Sequence, residues 1–205
     1  MTRATIALAM TICAAHSTTA FAQSPNPQRF ALLGQFAGAT SSEFSGADLG
    51  GGALFAWHAA EFLGAEAEMN FYPKNLTAKG RVPFSRSRVE ALFGISAGPR
   101  LGRVRPFGAF HTGFVKFQSP PTPIACPAIF PPILSCVLAQ GEAVLATYIG
   151  GGIEAFPMPH AVVRLDLGDR LMHYPGASID ASGAVHNMAF YMNEFRFVVG
   201  AGVRF

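Results

Sequence analysis

Charge is scarce in this sequence: 13% of its 205 residues are Asp, Glu, Lys or Arg, about half of the share typical of soluble domains. The 15 basic and 12 acidic residues give a formal net charge of +3, too small for the basic surface that nucleic acids require. Hydrophobic residues nevertheless make up 50% of the chain, which argues against a disordered chain, a coiled coil or a collagen-like repeat. We therefore expect the apolar surface to face something other than water.

The first 22 residues have the layout of a cleaved secretory signal peptide. Arg3 supplies a positive charge, residues 4–15 form a mostly apolar run, and residues 20–22 read Ala-Phe-Ala, a small-residue cleavage site. The run is too short for a membrane-spanning helix, which needs about 20 apolar residues. We expect residues 1–22 to be removed on export and residues 23–205 to form one domain.

The longest later uncharged stretch cannot be a membrane helix either. Residues 117–141 contain six prolines, which remove hydrogen-bond donors and clash with preceding carbonyl groups. An exported chain without a membrane helix can still satisfy its backbone in lipid by forming a closed β-barrel.

Hydrophobic residues alternate with polar ones along several segments, which is the period of a β-strand. In the C-terminal segment apolar residues occupy the odd positions from Phe195 to Phe205, whereas Glu194, Arg196 and Arg204 occupy even ones. Together with weaker segments rich in Gly, Ala and Phe, this pattern predicts strands near 28–39, 51–59, 63–73, 85–98, 105–117, 143–156, 161–173 and 189–205.

Short and long connections alternate between these segments. The short ones lie near 60–62, 99–104 and 157–160, and the long ones near 40–50, 74–84, 118–142 and 174–188. This alternation is typical of outer-membrane barrels, with short periplasmic turns and long external loops. It predicts an all-β fold, an eight-stranded antiparallel up-and-down transmembrane β-barrel. A soluble lipocalin-like barrel is the alternative, and it would need a polar outer surface.

The chain resembles the small bacterial outer-membrane β-barrels, the family of OmpA-like and OmpX-like barrel domains. The resemblance rests chiefly on the alternating last strand, which ends in a phenylalanine. It implies a porin-like cell-envelope protein in the outer membrane of a Gram-negative type cell, surrounded by outer-membrane lipid. It also implies that the barrel assembly machinery recognises the last strand. The implied assembly signal consists of Phe197, Ala201, Val203 and Phe205.

The predicted inner faces carry six acidic and four basic residues. They are Glu66, Glu68, Arg88, Glu90, Glu154, Arg164, Asp166, Glu194, Arg196 and Arg204. Side chains just fill an eight-stranded barrel, so we expect these charges to pair across the lumen and plug it. An ion pathway or proton relay is the alternative. The aromatic residues expected to face lipid are Phe36, Phe55, Trp57, Phe71, Tyr72, Phe93, Phe107, Tyr148, Phe156, Phe195, Phe197 and Phe205.

Two cysteines outside the signal peptide, Cys126 and Cys136, lie in the proline-rich loop, and we expect a disulfide between them in an oxidising compartment. No histidine is near them, which disfavours a zinc site. The segment from His173 to Ser178 is the nearest match to a histidine–serine pair of lipid deacylases, but Pro175 stands where that family has serine. We expect no catalytic, cofactor-binding or metal-binding residues, and therefore no enzyme.

The external loops are the expected functional surface. The longest loop is apolar at Ile124, Ile129, Phe130, Ile133 and Leu134, which favours contact with an extracellular protein or another surface ligand. A small-solute pore or transporter and a lipid-modifying barrel enzyme are the alternative functions. Nucleic acid is not an expected partner.

Overall fold

A computed structural model describes residues 28–41, 44–45, 47–73, 77–78, 87–119, 126–138, 141–180 and 182–205. The predicted signal peptide, residues 1–22, lies outside the described residues. Within the described ranges, no helix is both long enough and apolar enough to cross a bilayer.

Twelve strands and one short helix are described. In chain order they are β1 (Phe30–Ser41), β2 (Phe44–Ser45), β3 (Ala47–Ala60), β4 (Leu63–Tyr72), β5 (Thr77–Ala78), β6 (Arg88–Ala97), β7 (Val104–Phe117), α1 (Leu134–Leu138), β8 (Ala143–Ala155), β9 (Ala161–Tyr174), β10 (Ser178–Ile179), β11 (Val185–His186) and β12 (Phe190–Arg204).

Eight of these strands close into one barrel in the order β1-β12-β9-β8-β7-β6-β4-β3. Each barrel strand pairs antiparallel with its neighbours, and the first and last strands close the ring, with Phe36 opposite Val199. The four short strands form two separate pairs, β2 with β5 and β10 with β11. The predicted all-β, eight-stranded, antiparallel up-and-down barrel is confirmed.

The alternation of the sequence sets the two faces of the barrel wall. On β4, Met69 and Phe71 are exposed on the outer face, whereas Glu66, Glu68 and Asn70 are buried on the inner face. Exposed Phe, Leu, Ile and Val side chains continue around the outside on the other strands. A soluble barrel would have a polar exterior, so this apolar outer surface is that of a barrel in lipid.

The predicted length of the first long loop, residues 40–50, is wrong. Strands β1 and β3 continue through most of it, since Thr40 pairs with Ala47, and the connection shrinks to residues 42–46. The physical reason lies inside the barrel, where Asp48 binds the buried arginine of β6 and so extends the paired part of β3.

The remaining connections follow the predicted alternation. The long ones are residues 73–87, 118–142 and 175–189, and the short ones are residues 61–62, 98–103 and 156–160. We call the end of the barrel with the long connections the loop end, and the end with the short connections the turn end. Both described chain termini lie at the turn end, because β1 begins there and β12 ends there.

Candidate functional site

All ten residues predicted to line the lumen point inward, and none is more than 7% exposed. Buried charges are tolerated only when they are paired and hydrogen-bonded, so their partners decide what the lumen can do.

The loop-end half of the lumen holds one connected set of ion pairs. Its members are Asp48, Glu68, Arg88, Glu90, Arg170, Glu194 and Arg196. Arg88 donates to Asp48 at 2.6 Å and to Glu194 at 3.1 Å. Arg170 bridges Glu194 and Glu90, so the charges of β3, β6, β9 and β12 meet at the barrel axis.

The turn-end half of the lumen is organised around Arg164. Its guanidinium donates to Glu66 at 2.8 Å, to Asp166 at 2.9 Å and to Glu154 at 3.2 Å. Glu154 also accepts a hydrogen bond from Arg105 at 3.0 Å. One guanidinium therefore neutralises carboxylates from three strands, which a fork of fixed N–H groups does better than an ammonium.

His111 joins the two halves. Its Nε2 lies 3.0 Å from Glu66 of the turn-end set, and its Nδ1 lies 3.9 Å from Glu68 of the loop-end set. The ring also stacks on Tyr148, with centroids 5.6 Å apart. The Tyr148 hydroxyl in turn donates to Asp166. The charged centre of the barrel is therefore one continuous network.

Apolar layers lie beyond the network. At the turn end Phe156 is buried in a cluster with Ala31, Leu33, Leu54, Ala56 and Val162. A second cluster runs along β7 and β8 to the loop end, where Leu134 and Leu138 of α1 pack into it. The ion pairs thus lie between two layers of apolar side chains.

The sequence missed several lumen residues and misplaced others. Asp48, Arg105, His111 and Arg170 belong to the network but were not predicted. Arg170 shares the parity of Arg164 and Asp166, so extending the same alternation along β9 would have found it. Asp48 lay in a predicted loop, and alternation along β7 is blurred by Pro106 and glycines.

Four aromatic residues predicted to face lipid point inward instead: Tyr72, Phe107, Tyr148 and Phe156. Their parity explains part of the error, because Tyr148 lies on the same face of β8 as Glu154, and Phe156, one residue past the end of β8, follows the same alternation. The other eight predicted positions lie on the outer face, and Phe197 covers Gly38 there.

The long loop that was predicted to be an exposed apolar surface is largely a lid. Leu134, Cys136 and Leu138 are buried at the mouth of the barrel, so that part of the prediction is wrong. Of the apolar residues named in that prediction, Ile129 and Phe130 are exposed, at 46% and 86%. Leu134 and Leu138 are buried because they pack against the apolar side chains at the loop ends of β7 and β8. Ile124 lies outside the described residues.

Two bonds fix this lid. The predicted disulfide between Cys126 and Cys136 is confirmed, with Cα atoms 6.0 Å apart. The lid also joins the last long connection, where the Ile179 N–H donates to the Pro132 carbonyl at 2.9 Å.

The last long connection carries a short hairpin, β10 paired with β11, built on Asp180. This carboxylate accepts hydrogen bonds from Ser182, from the Ala184 N–H at 2.9 Å and from His186 at 3.0 Å. Burial opposes its ionisation, but the hydrogen bonds together outweigh burial and hold the pKa of Asp180 below its ordinary value.

The histidine–serine pair considered from the sequence is not assembled. His173 lies on the outer face against Tyr191, with ring centroids 4.9 Å apart. The Ser178 hydroxyl is buried in β10 and has no hydrogen-bond partner among the described residues. Nowhere among the residues that the structure describes do three His, Cys, Asp or Glu side chains gather so as to hold a metal ion.

No family model matches this sequence. No curated protein matches it either. Solved structures do. The outer membrane protein OprG from Pseudomonas aeruginosa is 15% identical, with a TM-score of 0.52 over 86% of this chain and 95% of that chain. Neisserial surface protein A (NspA) is 13% identical, with a TM-score of 0.52 over 86% of this chain and 97% of that chain.

A third solved structure, the attachment invasion locus protein Ail of Yersinia pestis, is 13% identical with a TM-score of 0.44 over 86% of this chain and 98% of that chain. The likeness to OprG and NspA, together with the apolar exterior, defines the class. The chain has the fold of the small eight-stranded outer-membrane β-barrels. At these identities the likeness establishes the fold alone.

Proposed function

We propose that this protein is an outer-membrane β-barrel with a closed lumen that acts through its external surface. The observation that carries the proposal is the continuous filling of the lumen, from the Phe156 layer through the ion-pair network to the α1 lid. A barrel of eight strands has room for side chains and little else. What is left for function is the surface at the loop end.

That surface has an apolar tip formed by two connections. Phe130 and Ile129 lie on the lid, and Val185 and Met188 lie on the last connection, all four exposed. The two connections are tied together through Ile179, which pairs with Ile133 and with Val185. Apolar side chains held outside the membrane on a rigid support are typical of a protein contact. We propose an extracellular protein as the partner.

A pore or transporter is the weaker proposal, since buried ion pairs and apolar side chains occupy the lumen of the described barrel. Purified protein in planar lipid bilayers is expected to give no reproducible conductance steps. Regular steps would contradict the closed lumen.

Binding is tested on cells that display the protein, using immobilised extracellular matrix and serum proteins. Phe130→Ser with Met188→Ser is expected to abolish attachment. Met158→Ser is the matched control, because this exposed methionine lies in a short connection at the opposite end. Equal attachment by all three forms would refute a role for the apolar tip.

The last strand supports a proposal about assembly. Phe205 exchanges two hydrogen bonds of 2.9 Å with Phe30, and so closes the ring at the turn end. Phe197, Ala201, Val203 and Phe205 all lie on the outer face. We propose that the barrel assembly machinery reads this face. Phe205→Ala is expected to lower the amount of folded protein in the outer membrane, whereas Phe71→Ala, an outer-face control on β4, is expected to change it less.

A further inference from the structure

Four arginines lie together at the turn end, and the ion-pair network uses none of them. Arg29, Arg100 and Arg103 are exposed, and Arg204 is buried. Among the described residues no carboxylate lies within ion-pair distance of any of these four. Among the described side chains, the exposed acid at this end is Glu61, so the side-chain charge there is predominantly positive.

Two of the arginines are held against one aromatic ring. The guanidinium carbons of Arg100 and Arg204 lie 4.5 Å and 4.4 Å from the centroid of Phe156. Two like charges on one ring repel each other, and stacking on phenylalanine offsets this only in part. The nearby carboxylate of Glu154 is already bound by Arg105 and Arg164, so it is not free to neutralise them.

Arg204 has hydrogen-bonding capacity left over. Its side chain is 7% exposed, and one terminal nitrogen donates to the Gln28 carbonyl at 3.3 Å. Its Nε is buried and has no partner among the described residues. A buried donor of this kind requires an acceptor, and a charged donor gains most from an anionic one.

The surroundings indicate where the anion comes from. The same end carries exposed apolar side chains at Phe62, Leu101, Met158 and Phe205. Apolar tips next to arginines are the arrangement of a membrane interface, where apolar groups enter the acyl region and cations reach the headgroups. The phosphate of a phospholipid can bind the arginines while its acyl chains contact the apolar side chains, whereas free phosphate can bind the arginines only.

We propose that Arg100 and Arg204, whose guanidinium groups lie against the same Phe156 ring at the turn end, form a binding site for the phosphate of an anionic phospholipid in the leaflet at that end. Arg103 adds positive charge at its rim. This inference rests on the placement of the barrel in a membrane, and it is independent of binding by the apolar tip.

The single tryptophan makes the test direct. Trp57 is on the outer face of β3, opposite Phe30 near the start of β1, and therefore reports on lipid at the turn end. The folded protein is placed in vesicles of phosphatidylcholine that contain either tail-brominated phosphatidylglycerol or tail-brominated phosphatidylcholine. Quenching of Trp57 then gives the preference for the anionic lipid.

We expect phosphatidylglycerol to be preferred, and we expect Arg100→Gln to reduce the preference about fivefold, the effect of one cation near a charged membrane surface. Arg100→Gln with Arg103→Gln is expected to reduce it further, because Arg103 adds positive charge at the rim of the site. Lys116→Gln is the control, since Lys116 is an exposed cation at the loop end of β7. Arg100 is exposed, so its replacement leaves the fold intact.

Three results would overturn the proposal. One is an unchanged preference in Arg100→Gln, and another is an equal loss in Lys116→Gln. The third is displacement of phosphatidylglycerol by the same concentration of inorganic phosphate, which would assign the site to a free anion.

Discussion

Removal of Arg164 is the most direct test of the lumen network. Arg164 binds Glu66, Asp166 and Glu154, all buried, so Arg164→Met leaves three carboxylates with one partner fewer. Breaking a buried ion pair on one side typically destabilises a protein by about 3–5 kcal/mol. Each carboxylate keeps another donor, from His111, Tyr148 or Arg105. We therefore expect Arg164→Met to lower the free energy of unfolding by an amount near the lower bound, about 3 kcal/mol, which is roughly a hundredfold in the unfolding equilibrium constant.

The assay is urea unfolding of the folded protein in phosphatidylcholine vesicles, followed by Trp57 fluorescence and by the mobility of unheated samples on gels. Arg103→Met is the matched control, because Arg103 is exposed and has no carboxylate within ion-pair distance among the described residues; its cost is expected to stay within about 0.5 kcal/mol. Adding Glu66→Gln to Arg164→Met should recover part of the loss, since it removes one of the uncompensated charges. If Arg164→Met and Arg103→Met are equally stable, the lumen is hydrated and our reading of the network is wrong.

Three further predictions concern the loop end and the barrel wall. Cys126→Ser with Cys136→Ser should remove on the order of 2–3 kcal/mol from the lid and speed its cleavage by added protease, whereas equal cleavage rates would show that the disulfide does not restrain it. The low pKa of Asp180 stabilises the hairpin above the ordinary carboxylate range, and this contribution should vanish as the pH falls through the lower folded-state pKa; the protection factor of the Ala184 amide against hydrogen exchange should therefore fall in acid, and in Asp180→Asn it should not depend on pH in this way. Gly94→Ala should cost about 1–3 kcal/mol in the same urea assay, because the added Cβ would meet the Phe110 carbonyl and the His111 ring, while Gly34→Ala, with open space around it, should be nearly neutral.

The barrel could be predicted from the sequence because period-two alternation is read directly from residues such as Glu66, Glu68 and Met69. The same alternation assigns each residue to the inner or outer face of the barrel, but it does not identify the residue with which an inner charge forms an ion pair. Arg164 and Glu66 are 98 positions apart, and nothing in their local sequence indicates that they meet.

The errors came from positions where local composition and three-dimensional packing disagree. Residues 40–50 have the composition of a loop, yet β1 runs to Ser41 and β3 begins at Ala47, where Asp48 meets its buried partner. Leu134 and Leu138 look like an exposed apolar surface in the sequence, but the uncovered mouth of the barrel takes them inside. The turn-end arginines carry no motif, since Arg100 and Arg204 come together only when β12 closes the ring.

The sequence separation of the lumen ion pairs constrains the order of assembly. Arg88 meets Glu194 across 106 residues, so the two charges gain their partners only when nearly the whole chain has been arranged in the ring. Closing so long a stretch of chain is slow, and the stabilising ion pairs form only at the end of the process. Until then the inner face of every strand must stay in water, because an unpaired arginine cannot enter lipid at an acceptable free energy. Insertion strand by strand is therefore unfavourable for this chain, and entry into the bilayer is coupled to closure of the barrel.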